Sequence, residues 1–427
     1  MQMKLFFQHA TVLDGTREML PRPMTDVLVE DGRIAAVGAL TPPPDAQVID
    51  LAGKYLMPGL CNLHVHLPAG GRPGKQRDQK KLAQLVLHNP VVKRIAFSVC
   101  KAYAEDELFS GVTTVRAVGG LSDIDTTLRD RINRGAADGP RILAANMAIG
   151  PVGGHMVGTV AEAAQSEEEA VKMVRERVAQ GVDLIKLMVT GGVLDATVRG
   201  EPGVLKMPPA LIRACCDEAH KNGLPVAAHV QSAEGVRAAV ENGVDTIEHG
   251  SVLDQSAIDA LQNSGGAVIC TLSPAFPMAK FPRDLLGISE TVQFNSDVVL
   301  RGMVEGAKQA LEAGIPVGLG TDTGCPYTTH YNMWRELAFF QKYVGVSAAF
   351  ALHTATLLNA RLVGLGDETG SVEPGKSADF LITDGDPLQS FETIRTPYMV
   401  VMRGKPFLHP KAKRYAKTDA VLDDYMP

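Results

Sequence analysis

The sequence predicts an α/β chain, a (β/α)8 TIM barrel with a small β-sandwich built from both termini. Eight short apolar segments alternate with stretches of helical period between residues 60 and 322. The two ends, by contrast, are rich in β-forming residues and tight turns. A length of 427 residues exceeds one ordinary core but suits a large barrel with a smaller companion.

The N-terminal end supplies the β-rich stretches 5–13 and 26–37, the second carrying the turn Glu30-Asp31-Gly32. The C-terminal end has the same character over 370–382 and 398–405. Asp31-Gly32-Arg33 and Arg403-Gly404-Lys405 both follow an apolar strand and read as matching turns. Residues 1–55 plus 365–427 are therefore expected to form one composite domain beside a barrel of residues 56–364. The expected barrel strands are 60–66, 112–118, 141–146, 184–189, 225–229, 246–249, 267–272 and 316–322. Expected helices include 166–180, which opens on a Ser-Glu-Glu-Glu capping signal, then 208–221, 233–241, 254–263 and 296–313. Gly181, Gly223, Gly243 and Gly314 each stand just past a helix, where a left-handed cap belongs.

Composition narrows the class. The net charge of −6 comes from 48 acids and 42 bases without a long run of either sign, which points away from nucleic acid and anionic membrane as partners. No 18-residue apolar stretch occurs, and Gln8 and His9 interrupt the opening segment, so a soluble cytoplasmic protein is expected. The six cysteines form no C-x-x-C pair, and Cys215 and Cys216 are adjacent, which suits buried thiols better than disulfides.

The chemistry sits on the strand ends. His64 and His66 close the first strand, His229 the fifth and His249 the sixth; Asp322 ends the eighth, and Lys186 lies on the fourth. In such a barrel the C-terminal strand ends gather at one rim. Side chains two apart on a strand face the same way, so both imidazoles of His64-Val65-His66 enter together, and neutral imidazole suits zinc. Two readings stay open for Lys186 in its apolar strand. It forms an ion pair or reaches solvent, or it is a neutral amine that captures carbon dioxide, the resulting carbamate bridging two cations. Asp322 either caps the next helix or binds metal and takes a proton from attacking water. His155, in the glycine-rich loop after strand three, is either a surface histidine or a group that stabilises a developing oxyanion or meets a substrate carboxylate. Tyr327 and His330, after strand eight, are further pocket candidates. His9, His88, His220, His353 and His409 lie off the rim.

With those positions in place, the chain resembles the amidohydrolase superfamily over nearly its whole length. The stretches that carry the resemblance are Leu56-Met57-Pro58-Gly59-Leu60-Cys61-Asn62-Leu63-His64-Val65-His66, Ile247-Glu248-His249-Gly250, Thr321-Asp322, and the segment from Gly370 to Asp379. Within the superfamily it is similar to the imidazolonepropionase-related, prolidase-like dipeptidase branch, and to ochratoxin-degrading amidohydrolases. The resemblance implies two zinc ions per chain: one on His64, His66 and Asp322, the other on His229 and His249. An N6-carboxylated Lys186 and a hydroxide would bridge them. It implies small-molecule substrates, namely dipeptides or N-acyl amino acids with proline or a hydrophobic or aromatic C-terminal residue, and ochratoxin-like amides. It also implies a homo-oligomer, octameric in some relatives. Several relatives carry tyrosine two residues beyond the strand-five histidine; here that position is Gln231. Arg199, in the loop after strand four, either meets a substrate carboxylate or is an exposed lid arginine. The insert 68–78, with Arg72, Lys75 and Arg77, is another candidate for attracting carboxylate.

Two other functions compete. One is a mononuclear cyclic-amide hydrolase or deaminase on the same barrel, which typically lacks the bridging lysine. The other is a non-catalytic barrel used for binding or assembly, against which stands the retention of all six ligand positions.

Overall fold

The chain is described by a computed structural model that covers residues 4–73 and 78–426; Lys75 and Arg77 lie outside the described residues. Eight parallel strands form the barrel: β1 (Leu60–Val65), β2 (Val112–Ala117), β3 (Arg141–Ala144), β4 (Ile185–Met188), β5 (Val226–Val230), β6 (Thr246–His249), β7 (Ala267–Cys270) and β8 (Val317–Leu319). Each pairs in parallel with the next from β1 to β3 and from β4 to β8. The ring closes where the Asp322 amide donates to the His64 carbonyl at 2.7 Å and Val65 bridges Thr323. Between β3 and β4 the Asp183 amide donates to the Ala144 carbonyl at 2.9 Å. All of these strands except β3 are buried on both faces, which is why they read as apolar runs and not as alternating patterns.

Three strands depart from the sequence expectation, among them the eighth, which ends at Leu319, three residues short of Asp322. The third breaks after Ala144 and resumes as Ala148–Pro151, which pairs with β4 through Ile149 and Leu187. Asn146, at φ 55°, sits in the break, and its side chain bonds Thr126 and Gln180. The seventh strand stops at Cys270, because the helix Leu272–Lys280 begins where the Glu336 carboxylate accepts the Leu272 and Ser273 amides, each at 2.7 Å. Helices Glu167–Ala179, Pro209–Lys221, Ala233–Val240 and Gln255–Ser264 match their expected places. Helix Glu290–Glu312 starts six residues earlier than 296, at a cap where Ser289 Oγ accepts the Val292 amide.

The chain ends share one eight-stranded sheet. Lys4–Val12 forks it, pairing with Gln47–Asp50 over its first half and with Tyr55–Pro58 near its end. Phe380–Thr383 from the C-terminal end then pairs with Tyr55–Pro58. Leu5, Phe7, Val27 and Val29 share a core with Phe380 and Val401. The two turns recognised in the sequence touch: a Cβ on Gly32 would lie 2.6 Å from the Arg403 carbonyl oxygen, so only glycine fits. Among the described residues no helix is long and apolar enough to cross a membrane.

Candidate metal centre

The C-terminal strand ends bring together the six residues singled out by the sequence. His64, Lys186, His229, His249 and Asp322 are each at most 8% exposed, and His66 is half-buried beside them. Asp322 is central. Its Oδ1 lies 3.5 Å from His64 Nε2 and 3.2 Å from His66 Nε2, and its Oδ2 lies 4.0 Å from His249 Nδ1. The His64 and His249 rings are 4.8 Å apart, and the His249 and His229 rings 4.6 Å. Potential ligand atoms of His64, His249 and Asp322 all fall within 4.8 Å of one another. Both His249, at φ 70°, and Asp322, at φ 53°, sit in the left-handed region, a backbone strain of order 1–3 kcal/mol each that recurs at functional sites.

Each imidazole is held from behind. His64 Nδ1 lies 2.7 Å from Glu248 Oε2; Glu248 Oε1 accepts from Arg116 Nη2 at 2.7 Å and from Thr246 at 2.8 Å. His66 Nδ1 donates to the Gly119 carbonyl at 2.9 Å, and His249 Nδ1 lies 2.7 Å from Thr271 Oγ1. His229 Nε2 donates to the Gly191 carbonyl at 3.3 Å, leaving Nδ1 bare. Such outer partners fix tautomer and ring orientation. Glu248, Arg116 and Thr271 were not assigned roles from sequence. For Glu248 and Arg116 the legible signal is a charge inside an all-buried strand, as in Ile247-Glu248-His249; Thr271 carries none.

Electrostatics favour neutral donors. Burial, then the Lys186 charge, holds His64 well below its ordinary pKa; burial, then neighbouring His155, does the same for His229, and burial brings His249 down to about 4. Burial pushes Asp322 up, but His64, His66 and His249 outweigh it and keep the carboxylate ionised well below its usual range. Burial lowers Lys186 to about 8, against the pull of Glu248. Its Nζ is buried with no hydrogen-bond partner. An amine without an ion-pair partner, amid bare imidazole nitrogens and a carboxylate, fits a carbamate-forming lysine in a site for divalent cations.

These groups form the floor of a cavity of about 350 Å3 whose walls are mainly apolar, with Leu82, Leu121, Met156, Val160, Met278 and Met303 among them. His155 and Gln231 also line it. The His155 ring stacks on His229 at 4.3 Å, and its Nδ1 bonds Asp195. The Gln231 amide donates to Thr190 Oγ1 at 3.1 Å, while its side-chain Oε1 is buried without a partner.

Three expected substrate contacts are absent from the lining. Tyr327 packs against Phe281, with ring centroids 5.2 Å apart. His330 has both nitrogens engaged, by Glu107 at 3.0 Å and the Ala69 carbonyl at 2.8 Å; it braces the wall from outside. Arg199 pairs with Glu290 at 2.9 Å and covers Phe294. Arg72, from the insert, stacks on Tyr415. Strand-end position predicts convergence for residues on the barrel, whereas loop residues take their direction from packing that spacing does not reveal.

Comparison with known proteins places this geometry. The model of the amidohydrolase family matches residues 55–406. A candidate prolidase from Bifidobacterium longum superposes with a TM-score of 0.87 at 38% identity, over 99% of this chain and 98% of that one. The structure of a Xaa-Pro dipeptidase with methionine bound in its active site matches at TM-score 0.82 and 27% identity, over 95% of this chain and 100% of that one. The ochratoxinase of Aspergillus niger is 24% identical over 407 residues, 88% of this chain and 80% of its own.

Proposed function

We propose that this chain, which belongs to the amidohydrolase family, is a binuclear metal hydrolase that cleaves the amide C–N bond of dipeptides or N-acyl amino acids. The observation that carries this reading is the convergence of four imidazoles, one carboxylate and an unpartnered buried lysine amine on the floor of one cavity. His64, His66 and Asp322 would hold one divalent cation, zinc by donor chemistry, and His229 and His249 the other, with carboxylated Lys186 shared between them. Bound cations supply Lewis-acid polarisation of the scissile carbonyl and acidify the attacking water. Asp322 takes the proton of that water and returns it to the leaving nitrogen. Its Oδ2 suits this better than Oδ1, which lies close to two imidazoles. His155, with Nδ1–H donating to the Asp195 carboxylate, donates from Nε2 to the oxygen that gains charge when the ring carries both protons, a form the adjacent carboxylate supports. Gln231 offers its unpartnered carboxamide to the substrate backbone. The apolar walls exclude water and suit a hydrophobic or aromatic residue on the substrate. This accords with the dipeptidase and ochratoxinase activities named for the relatives.

The compact grouping of His64, His249 and Asp322 favours a second reading, a single cation at those three residues. Metal analysis of protein purified without chelator separates the two. The binuclear reading expects about two metals per chain, and Lys186→Ala losing at least one of them with activity down about 100-fold or more. One metal per chain, unaffected by Lys186→Ala, overturns it. Release of free amino acid from a panel of dipeptides and N-acyl amino acids, abolished by chelator, tests the reaction. No release from any member rejects the proposed substrate class.

A further inference from the structure

Asp195 belongs to the segment 190–206 that follows β4 and passes over the cavity. This strap is tied down at both ends and in the middle. The Gly191 amide donates to the Val204 carbonyl at 2.9 Å, and the Lys206 amide to the Val189 carbonyl at 3.0 Å. Buried Asn295, on helix Glu290–Glu312, accepts the Gly200 amide at 2.7 Å and donates to the Val198 carbonyl at 2.9 Å. So seated, the strap lies flat against His155: a Cβ on Gly192 would fall 2.6 Å from the ring's Cε1. The ring also stacks on His229, with an interplanar angle of 18°.

These two contacts fix the plane of the His155 ring but not its flip. A half-turn about Cβ–Cγ keeps the same stack while exchanging the nitrogens with carbons. Among the described residues, only Asp195 distinguishes the two flips. Its Oδ2 accepts from His155 Nδ1 and also from the Gly192 amide at 3.2 Å, so the carboxylate is itself held in place by the strap. With Nδ1 engaged, Nε2 is the one ring nitrogen left for the cavity, and it has no partner among the described residues.

We infer that Asp195 is a positioning residue: it selects the flip of His155 that turns Nε2 to the substrate, and so makes a competent site depend on a seated strap. This rests on the amide-hydrolase reading for the role of His155, but the hydrogen bond itself is testable apart from that reading.

The test combines a double-mutant cycle with a spectroscopic readout on the metal-loaded protein. Asp195→Ala is expected to lower kcat/KM about 10–100-fold with metal content per chain unchanged. Asp195→Asn, whose carboxamide oxygen still accepts from Nδ1, recovers most of that loss. In a His155→Ala background Asp195→Ala has no further effect, a dependence that a purely structural residue does not show. In protein labelled with 15N-histidine, the hydrogen-bonded Nδ1–H resonance of His155 is present in wild type and Asp195→Asn and missing in Asp195→Ala. Losses that add independently of His155, or a resonance that persists in Asp195→Ala, overturn the inference. If wild type releases no amino acid from any amide, the functional reading falls, and the resonance alone decides whether Asp195 holds His155.

Discussion

His64 has two ring nitrogens, and Glu248 engages one of them. With Nδ1 held at 2.7 Å by that carboxylate, Nε2 presents a bare lone pair toward Asp322. Glu248 is kept in place by Arg116 and Thr246, and Arg116 in turn donates to the Leu63 carbonyl at 2.8 Å. The arrangement gives His64 both its tautomer and added basicity. Glu248→Gln removes the charge while keeping the shape, and metal affinity is expected to fall about 10–100-fold, read by competition with a calibrated chelator. An unchanged affinity would show that Glu248 serves only to neutralise Arg116.

The strap and its anchoring helix show how an element sets the site's dynamics. Arg199, exposed and paired with Glu290, contributes little: surface ion pairs are worth about 0–1 kcal/mol. Asn295 is fully buried and serves two backbone groups of the strap. Asn295→Ala removes both anchors; Val198 and Gly200 are exposed, so water replaces them and the loss is about 0.5–1.5 kcal/mol per bond. Amide hydrogen exchange across 191–206 is expected to quicken at least about 10-fold, with exchange in the barrel strands unchanged and Arg199→Ala close to wild type. Equal exchange in Asn295→Ala and wild type would mean that the strap is held by other contacts.

At the scale of the whole molecule, the barrel is joined to the terminal sheet through Asp379. Buried at 2% exposure, it accepts from Arg141, the first residue of β3, at 3.1 Å, from Thr369 at 3.0 Å and from the Arg403 amide at 2.7 Å. Removing one partner of a buried ion pair costs up to about 3–5 kcal/mol, less here because Arg141 keeps its longer contact with Glu368 at 3.6 Å. Asp379→Ala is therefore expected to lower the melting temperature by several degrees while metal content at 20 °C, a temperature chosen well below about 45 °C where mesophilic domains begin to melt, stays at the wild-type level. A melting temperature within error of wild type would reject this junction as a main link between the two parts.

Sequence alone determined the barrel, the sheet shared by both chain ends and the convergence of His64, His66, Lys186, His229, His249 and Asp322. Strand periodicity and parallel order are local properties, and once eight strands close, residues at their C-terminal ends have one rim to meet on. The break at Asn146 and the early end of β7 were not legible, because Gln180 and Glu336 impose them from elsewhere in the chain. The same holds for the pocket's outer wall. Tyr327 and His330 lie in the same segment after β8 as Cys325, yet Cys325 lines the cavity and the other two brace it from outside. Tertiary packing decided which way each loop side chain turned, and it brought Glu248 behind His64 and Asp195 behind His155. A residue's place on a closed strand follows from spacing; its partners depend on chain segments that only the folded molecule brings within a few ångströms.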